Sequence, residues 1–202
     1  LHDALPIFNE TIALHLARLG SFGALDTFLG ESGTPTPSSE LLADLRLLHS
    51  ILAELQRGSC ASALDWVSSN AAVDPEGDLE FALRKDEFVR LLLASSDLSS
   101  STDPLLPLPS TSYASPSTQA ALAYGGHHFR PFHTPAREAT IQALFTAPLY
   151  MPFSRLLASP YAALFEEYDA SDGGKGGEEL TAVMGMFTAA FLRRLGDRRA
   201  HV

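Results

Sequence analysis

Apolar residues recur along this chain at steps of three and four, interrupted by polar runs and by breaks rich in glycine and proline. That is the period of helices with one buried face. In residues 8–30, "FNETIALHLARLGSFGALDTFLG", the apolar positions 8, 12, 16 and 19 predict a helix with Asn9 near its start. Gly20 and Gly23 end it, and a second short helix is expected around 24–29. The stretch "ESGTPTPSS" (31–39) reads as a linker. In residues 41–57, Leu41, Leu45, Leu48, Leu52 and Leu55 are spaced 4, 3, 4 and 3 apart, a seam that seeks another helix.

A helix over 60–70, "CASALDWVSSN", places Ala63, Leu64 and Val67 on one side with Trp66 beside them. "VDPEGD" then turns the chain, and Asp78 is the expected N-cap of the next helix, "DLEFALRKDEFVRLLLA". On a helical wheel Phe81, Phe88 and Leu92 share a face, widened by Val89 and Leu91. Glu80–Arg84 and Asp86–Arg90 are i,i+4 pairs with the acid leading, each contributing roughly 0.2–0.5 kcal/mol. Burying Phe81 and Phe88 contributes roughly 1.5–3 kcal/mol apiece. Packing outweighs the charge pairs, so the charges of this helix are expected to form a solvated face.

Residues 95–118 break the pattern: sixteen of twenty-four are Ser, Thr or Pro. Such a stretch buries too little apolar surface to offset its ordering entropy and reads as a flexible insert. Helical spacing then returns over 119–129, 136–147, 154–166 and 178–195, with a loose loop at 169–177. No strand pattern of useful length and no repeat occurs. The fold class expected is all-α, built of helical hairpins.

Composition narrows the chemistry. A net charge of −10, with Lys85 and Lys175 the only lysines, argues against nucleic acid or an anionic membrane as main partner. Cys60 is the single cysteine, which excludes an internal disulfide framework and a Cys-rich zinc site and fits a reducing compartment. No segment has the length and apolarity of a membrane span, and the start lacks the pattern of a signal peptide. Leu1 in place of Met suggests a fragment or a processed form.

The local motifs for catalysis are weak. The loop "DASDGGKGGEEL" (169–180) lacks the position-12 carboxylate of a calcium hand, having Leu180 there. "GGKGG" has neither the strand nor the Ser/Thr of a phosphate loop. His127, His128 and His133 cluster without the further ligands that zinc requires. Cys60 at a helix start reads as a small core residue rather than a nucleophile. Ser115-Pro116 and Ser159-Pro160 are candidate sites for a proline-directed kinase. Carboxylate chemistry at 78–90 is the enzyme alternative.

The order of elements resembles a known family. "FNETIALHLARLGSFGALDTFLGESG" (8–33) resembles a LisH dimerisation motif. "LLHSILAELQRGSCASALDWVSSN" followed by "LEFALRKDEFVRLL" resembles a CTLH motif, placed at 39–94. "ALAYGGHHFRPF", "IQALFTAPLYM", "SPYAALF" and "FTAAFLRRLG" resemble the associated CRA region, placed at 119–196. Together they are similar to subunits of the GID/CTLH ubiquitin ligase complex, with "FRPF" and "SPY" most like the Rmd5 (Gid2) type; a Maea/Gid9- or Gid8-like sister subunit, or a LisH homodimer of another pathway, is the alternative.

The resemblance implies an assembly role in ubiquitin-dependent protein degradation, in cytoplasm and nucleus. It implies a Maea/Gid9-like partner and a Gid8-like adaptor, meeting Ile12, Leu16 and Leu19 and the late residues Phe187, Phe191, Leu192 and Leu195. It implies a CTLH core of Leu45, Leu48, Leu52, Leu64, Trp66, Leu79, Phe81, Phe88 and Leu92. In that family a zinc-binding RING-like domain after the CRA region recruits the ubiquitin-conjugating enzyme. Residues 1–202 do not supply its cysteines, so no cofactor is expected in this chain, which should be inactive alone.

Overall fold

A computed structural model describes residues 4–94, 116–168 and 178–200. Among them no residue is in a β-strand, and nine α-helices with short 3-10 turns make an all-α protein. None of these helices is long and apolar enough to cross a membrane. The chain divides into two compact units, 1–54 and 55–202, with the boundary inside a helix.

The first unit holds α1 (Ala4–Arg18), α2 (Phe22–Ser32) and most of α3 (Ser39–Gln56). Helices α1 and α2 pack as a hairpin in which Ala13, Ala17 and Leu25 are fully buried. The two alanines, one turn apart, let the helices approach closely. Gly20 makes the turn with φ 74°, and a Cβ there would stand 2.5 Å from His49 Nδ1. His49 bonds through Nε2 to the Arg18 carbonyl at 2.9 Å and meets the Phe22 ring edge-on. On α3 the buried face is Leu42, Leu45, Leu48 and Ile51. Leu41 and Leu52, expected in the seam, are only half-buried, so the face is turned slightly from the leucine spacing.

In the second unit α5 (Asp78–Leu93) is the axis. Around it stand α4 (Ala61–Ser69), α6 (Pro116–His128), α7 (Glu138–Thr146), α8 (Phe153–Leu156) and α9 (Glu178–Ala200). Helices α5 and α6 make the most extensive pairing, and Gly125 permits it: a Cβ there would meet the Phe88 and Phe145 rings at 3.0 Å. The core joins Phe88, Val89 and Leu92 to Phe129, Phe132, Ile141, Leu144, Leu156 and Phe165. Phe129 packs against Phe81, Phe88 and Phe145 at ring separations of 5.6–6.1 Å. Arg137 lies over the faces of Phe81 and Phe132, bonds the Glu76 carbonyl and pairs with Asp78, pinning the start of α5.

Three local expectations change. Asp78 is not the N-cap of α5. Gly77 holds that position with φ 66°, and Asp74 reaches forward to accept from the Asp78 and Glu80 amides at 3.0 and 2.9 Å. The helix expected over 154–166 is a four-residue α8 followed by 3-10 turns at Ala162–Leu164 and Glu166–Tyr168. Pro160 in this stretch lacks the N–H that a continuous helix would use. Of the proposed insert, 116–118 begin α6 and Thr118 is buried. Residues 95–115 and the loop 169–177 lie outside the described residues.

Candidate functional site

The polar centre of the second unit is Asp86, whose side chain is buried although ionisable. Its Oδ2 accepts from Arg90 Nε at 2.7 Å and from the Cys60 thiol at 3.3 Å; its Oδ1 accepts from the Tyr168 hydroxyl at 2.9 Å. One carboxylate therefore ties the start of α4, a later turn of α5 and the 3-10 turn Glu166–Tyr168. A buried carboxylate persists when its lone pairs are taken by donors, one of them cationic. The same environment disarms the thiol. Burial, then the Asp86 charge and the bond to it, push the Cys60 pKa well above its ordinary value. Burial and Asp86 push the Tyr168 hydroxyl up likewise. These groups act as hydrogen-bond donors, not nucleophiles.

The charges expected on a solvated face are thus wired inward. From Leu79 to Leu93 no residue of α5 is exposed. Lys85 pairs with Glu179 of α9, Arg90 with Asp86, and Arg84 bonds Glu80 and the Tyr124 hydroxyl at 3.3 Å each. The helix is surrounded on nearly every side, so among the described residues all its charged residues but Glu87 find protein partners where water was expected.

Beside this network lies a cleft of about 420 Å³ lined by residues of α4, α5 and α6. Ser59, Cys60, Ala61 and Leu64 form one wall, and Arg84, Glu87 and Tyr124 the other. The volume falls within the range of small-ligand sites. Arg84 Nε is buried there without a hydrogen-bond partner.

A family model described as the CTLH/CRA C-terminal to LisH motif domain matches residues 44–199, most of the chain. The chain belongs to that family. No curated protein and no solved structure matches it. The CTLH/CRA segment therefore covers Asp86 and its partners, the cleft and the whole of the aromatic core.

Within the CTLH/CRA chain, the core residues expected from the sequence fall in two groups. Leu45, Leu48, Leu64, Leu79, Phe88 and Leu92 are buried; Leu52, Trp66 and Phe81 are half-buried. The residues expected to face a partner also divide. On α1, Ile12 and Leu16 are half-buried, and Leu19 in the turn that follows is 60% exposed. On α9, Leu192 is exposed and Leu195 half-buried, but Phe187 and Phe191 are buried within the chain itself. Trp66 stacks on Phe191 at 4.9 Å and meets Phe187 edge-on at 5.2 Å. Those two rings are occupied by α4 and do not form an open face, a correction to the sequence reading.

Sequence reasoning missed Asp86, Tyr124 and Tyr168. A signal for Asp86 existed: Leu79, Leu83 and Asp86 follow steps of four and three, which puts a carboxylate on an apolar stripe. Tyr124 and Tyr168 are separated from their partners by 40 and 82 residues, and nothing local marks them.

Proposed function

We propose that this CTLH/CRA chain is the assembly region of a GID/CTLH-type ubiquitin ligase subunit of the Rmd5 (Gid2) kind. It pairs with a Maea/Gid9-like subunit, and a Gid8-like adaptor joins the pair to the rest of the complex. The observation that carries the reading is the match over 44–199, together with a hairpin ahead of it whose apolar residues are left uncovered. Ile7 and Phe8 of α1 and Leu19 just after it are 68%, 64% and 60% exposed, a concentration of apolar surface that a partner would cover. The chain's own part is positioning. Ubiquitin transfer belongs to the zinc-binding RING-like domain of such complexes, and the residues here do not fit zinc, because the one cysteine is buried with its thiol on Asp86.

Co-expression with a Maea/Gid9-like subunit, followed by light scattering, tests the reading. A heteromer is the expected species. A chain that stays apart from that subunit, or assembles only with itself, overturns it and favours a LisH-type homodimer. Conjugation activity tied to carboxylates of α5 would instead favour an enzyme.

A further inference from the structure

Five Ser-Pro or Thr-Pro pairs occur in the chain: Thr34-Pro35, Thr36-Pro37, Ser115-Pro116, Thr134-Pro135 and Ser159-Pro160. Kinases that read a proline after the acceptor take their substrate as an extended strand. Proline suits a pocket that buries that position, because it brings no N–H to leave unpaired. The pairs are alike in sequence, and their backbones separate them. Ser115 lies outside the described residues. Ser159 is half-buried in a turn, its hydroxyl accepting from the Tyr161 amide at 3.1 Å and its carbonyl from the Ala162 amide at 3.1 Å. Thr134 is closed into the turn before α7: its amide donates to the Phe132 carbonyl, and its own carbonyl accepts from the Arg137 and Glu138 amides. Thr34 is half-buried, and its Oγ1 accepts from the Ser32 hydroxyl at 2.8 Å.

Thr36 differs on every count. Residues 33–38, between α2 and α3, adopt neither helix nor turn, and Thr36 is exposed. Its hydroxyl makes no hydrogen bond among the described residues. Pro35 and Pro37 hold φ at about −65°, and each turns the residue before it, Thr34 or Thr36, to extended backbone. The alternating Thr-Pro sequence therefore prepares the backbone that an extended-strand pocket selects, which lowers the ordering cost of binding. Both ends of the stretch are held: Gly33 closes α2 with φ 62°, and Ser38 accepts the Leu41 amide at 3.3 Å where α3 starts. We propose that Thr36 is a phosphorylation site for a proline-directed protein kinase. Thr36 Oγ1 attacks the γ-phosphorus of the ATP held by the kinase. The bond from that phosphorus to the β,γ-bridging oxygen breaks, ADP leaves, and the hydroxyl proton passes to the kinase's catalytic carboxylate. The product carries a charge of about −1.5 to −2 at this position. Because Thr36 is exposed, the phosphate enters without displacing a packed side chain. The site uses the bridge between α2 and α3 alone and stands apart from the ligase reading.

Incubation of the folded full chain with a recombinant proline-directed kinase of the mitogen-activated class and Mg-ATP, read by tandem mass spectrometry, tests the site. Phosphate is expected at Thr36 about tenfold faster than at Thr34, Thr134 or Ser159, each of which must first open a hydrogen-bonded turn. Pro37→Ala restores an N–H that the kinase pocket leaves unpaired and should slow transfer to Thr36 about tenfold. Thr36→Ser keeps the hydroxyl and the proline and should be labelled in the same place, with the thermal midpoint of the parent. An unmodified Thr36 in the folded chain overturns the proposal, most plainly if a peptide of residues 31–42 accepts phosphate there. So does faster labelling of Thr134 or Ser159, or a Pro37→Ala chain labelled at Thr36 as fast as its parent.

Discussion

The two units of this chain handle apolar surface in opposite ways. In the hairpin of α1 and α2 the fully buried residues are few and mostly small, Ala13, Ala17 and Leu25, while Ile7, Phe8 and Leu19 remain exposed. In the second unit Phe88, Phe129, Phe165 and Phe187 are fully buried, and the carboxylate of Asp86 on α5 is buried with them. The hairpin of the first unit resembles half of an interface, with Ile7, Phe8 and Leu19 outside. The second resembles a finished domain, with its large side chains inside and a carboxylate at its centre. The division suits the assembly role proposed above: the second unit spends its aromatic residues on itself, and the hairpin keeps Phe8 uncovered.

Substitutions sharpen the contrast, beginning with the core. Phe129→Ala removes a ring packed among Phe81, Phe88 and Phe145 and should cost about 3–5 kcal/mol in urea unfolding. A loss under about 1 kcal/mol would mean that this core is loosely packed, and the comparison would fail. Asp86→Asn comes next. It keeps the shape but removes the charge that receives Arg90, Tyr168 and the Cys60 thiol, and should cost about 1.5–3 kcal/mol. Its signature is local: faster amide exchange at Ser59–Ala61 and Glu166–Tyr168, the segments that the carboxylate ties to α5. In the first unit, Phe8→Gln and Leu19→Gln should leave unfolding within about 0.5 kcal/mol of the parent. The same changes should reduce the assembled mass seen by light scattering. A large loss of stability with unchanged mass would show those side chains to be structural.

How legible this arrangement was depends on which interactions are local. The all-α class, the helical faces of α3 and α5, and the burial of Leu45, Leu48, Phe88 and Leu92 follow from spacing, because a helix repeats its face every few residues. The positions of charges do not follow. Asp86 was expected in water, paired with Arg90 on a solvated face; what turns it inward is Tyr168, 82 residues away, and Cys60, 26 residues away. The start of α5 illustrates the same limit at short range. Asp74 and Asp78 both have the side chain of a cap, and the turn at Gly77 decides between them. On α9, Phe187 and Phe191 were expected to meet a partner, and local spacing could not show that Trp66 of the same chain packs against both.

The smallest predicted effect concerns Glu87 and has a definite sign in pH. Its folded-state pKa is raised above the ordinary 4.5, first by burial and then by Asp86. For an acid with a raised pKa the folded chain holds its proton more tightly than the unfolded chain, so ionisation works against folding. The penalty is absent below pH 4.5, where both states are protonated, grows as pH rises toward the folded value, and is complete above it. Glu87→Gln removes the ionisation, so the variant should exceed the parent in stability at pH 7 and match it below pH 4.5. Because the side chain is partly open to solvent, screening holds the gain to a few tenths of a kcal/mol, about what paired melts at the two pH values resolve. A variant less stable than the parent at pH 7 would mean that the ionised carboxylate contributes to folding, and Glu87 would then belong with Asp86 among the satisfied charges. The expected gain instead sets it apart: Asp86 has its donors within the chain, and Glu87 still lacks one.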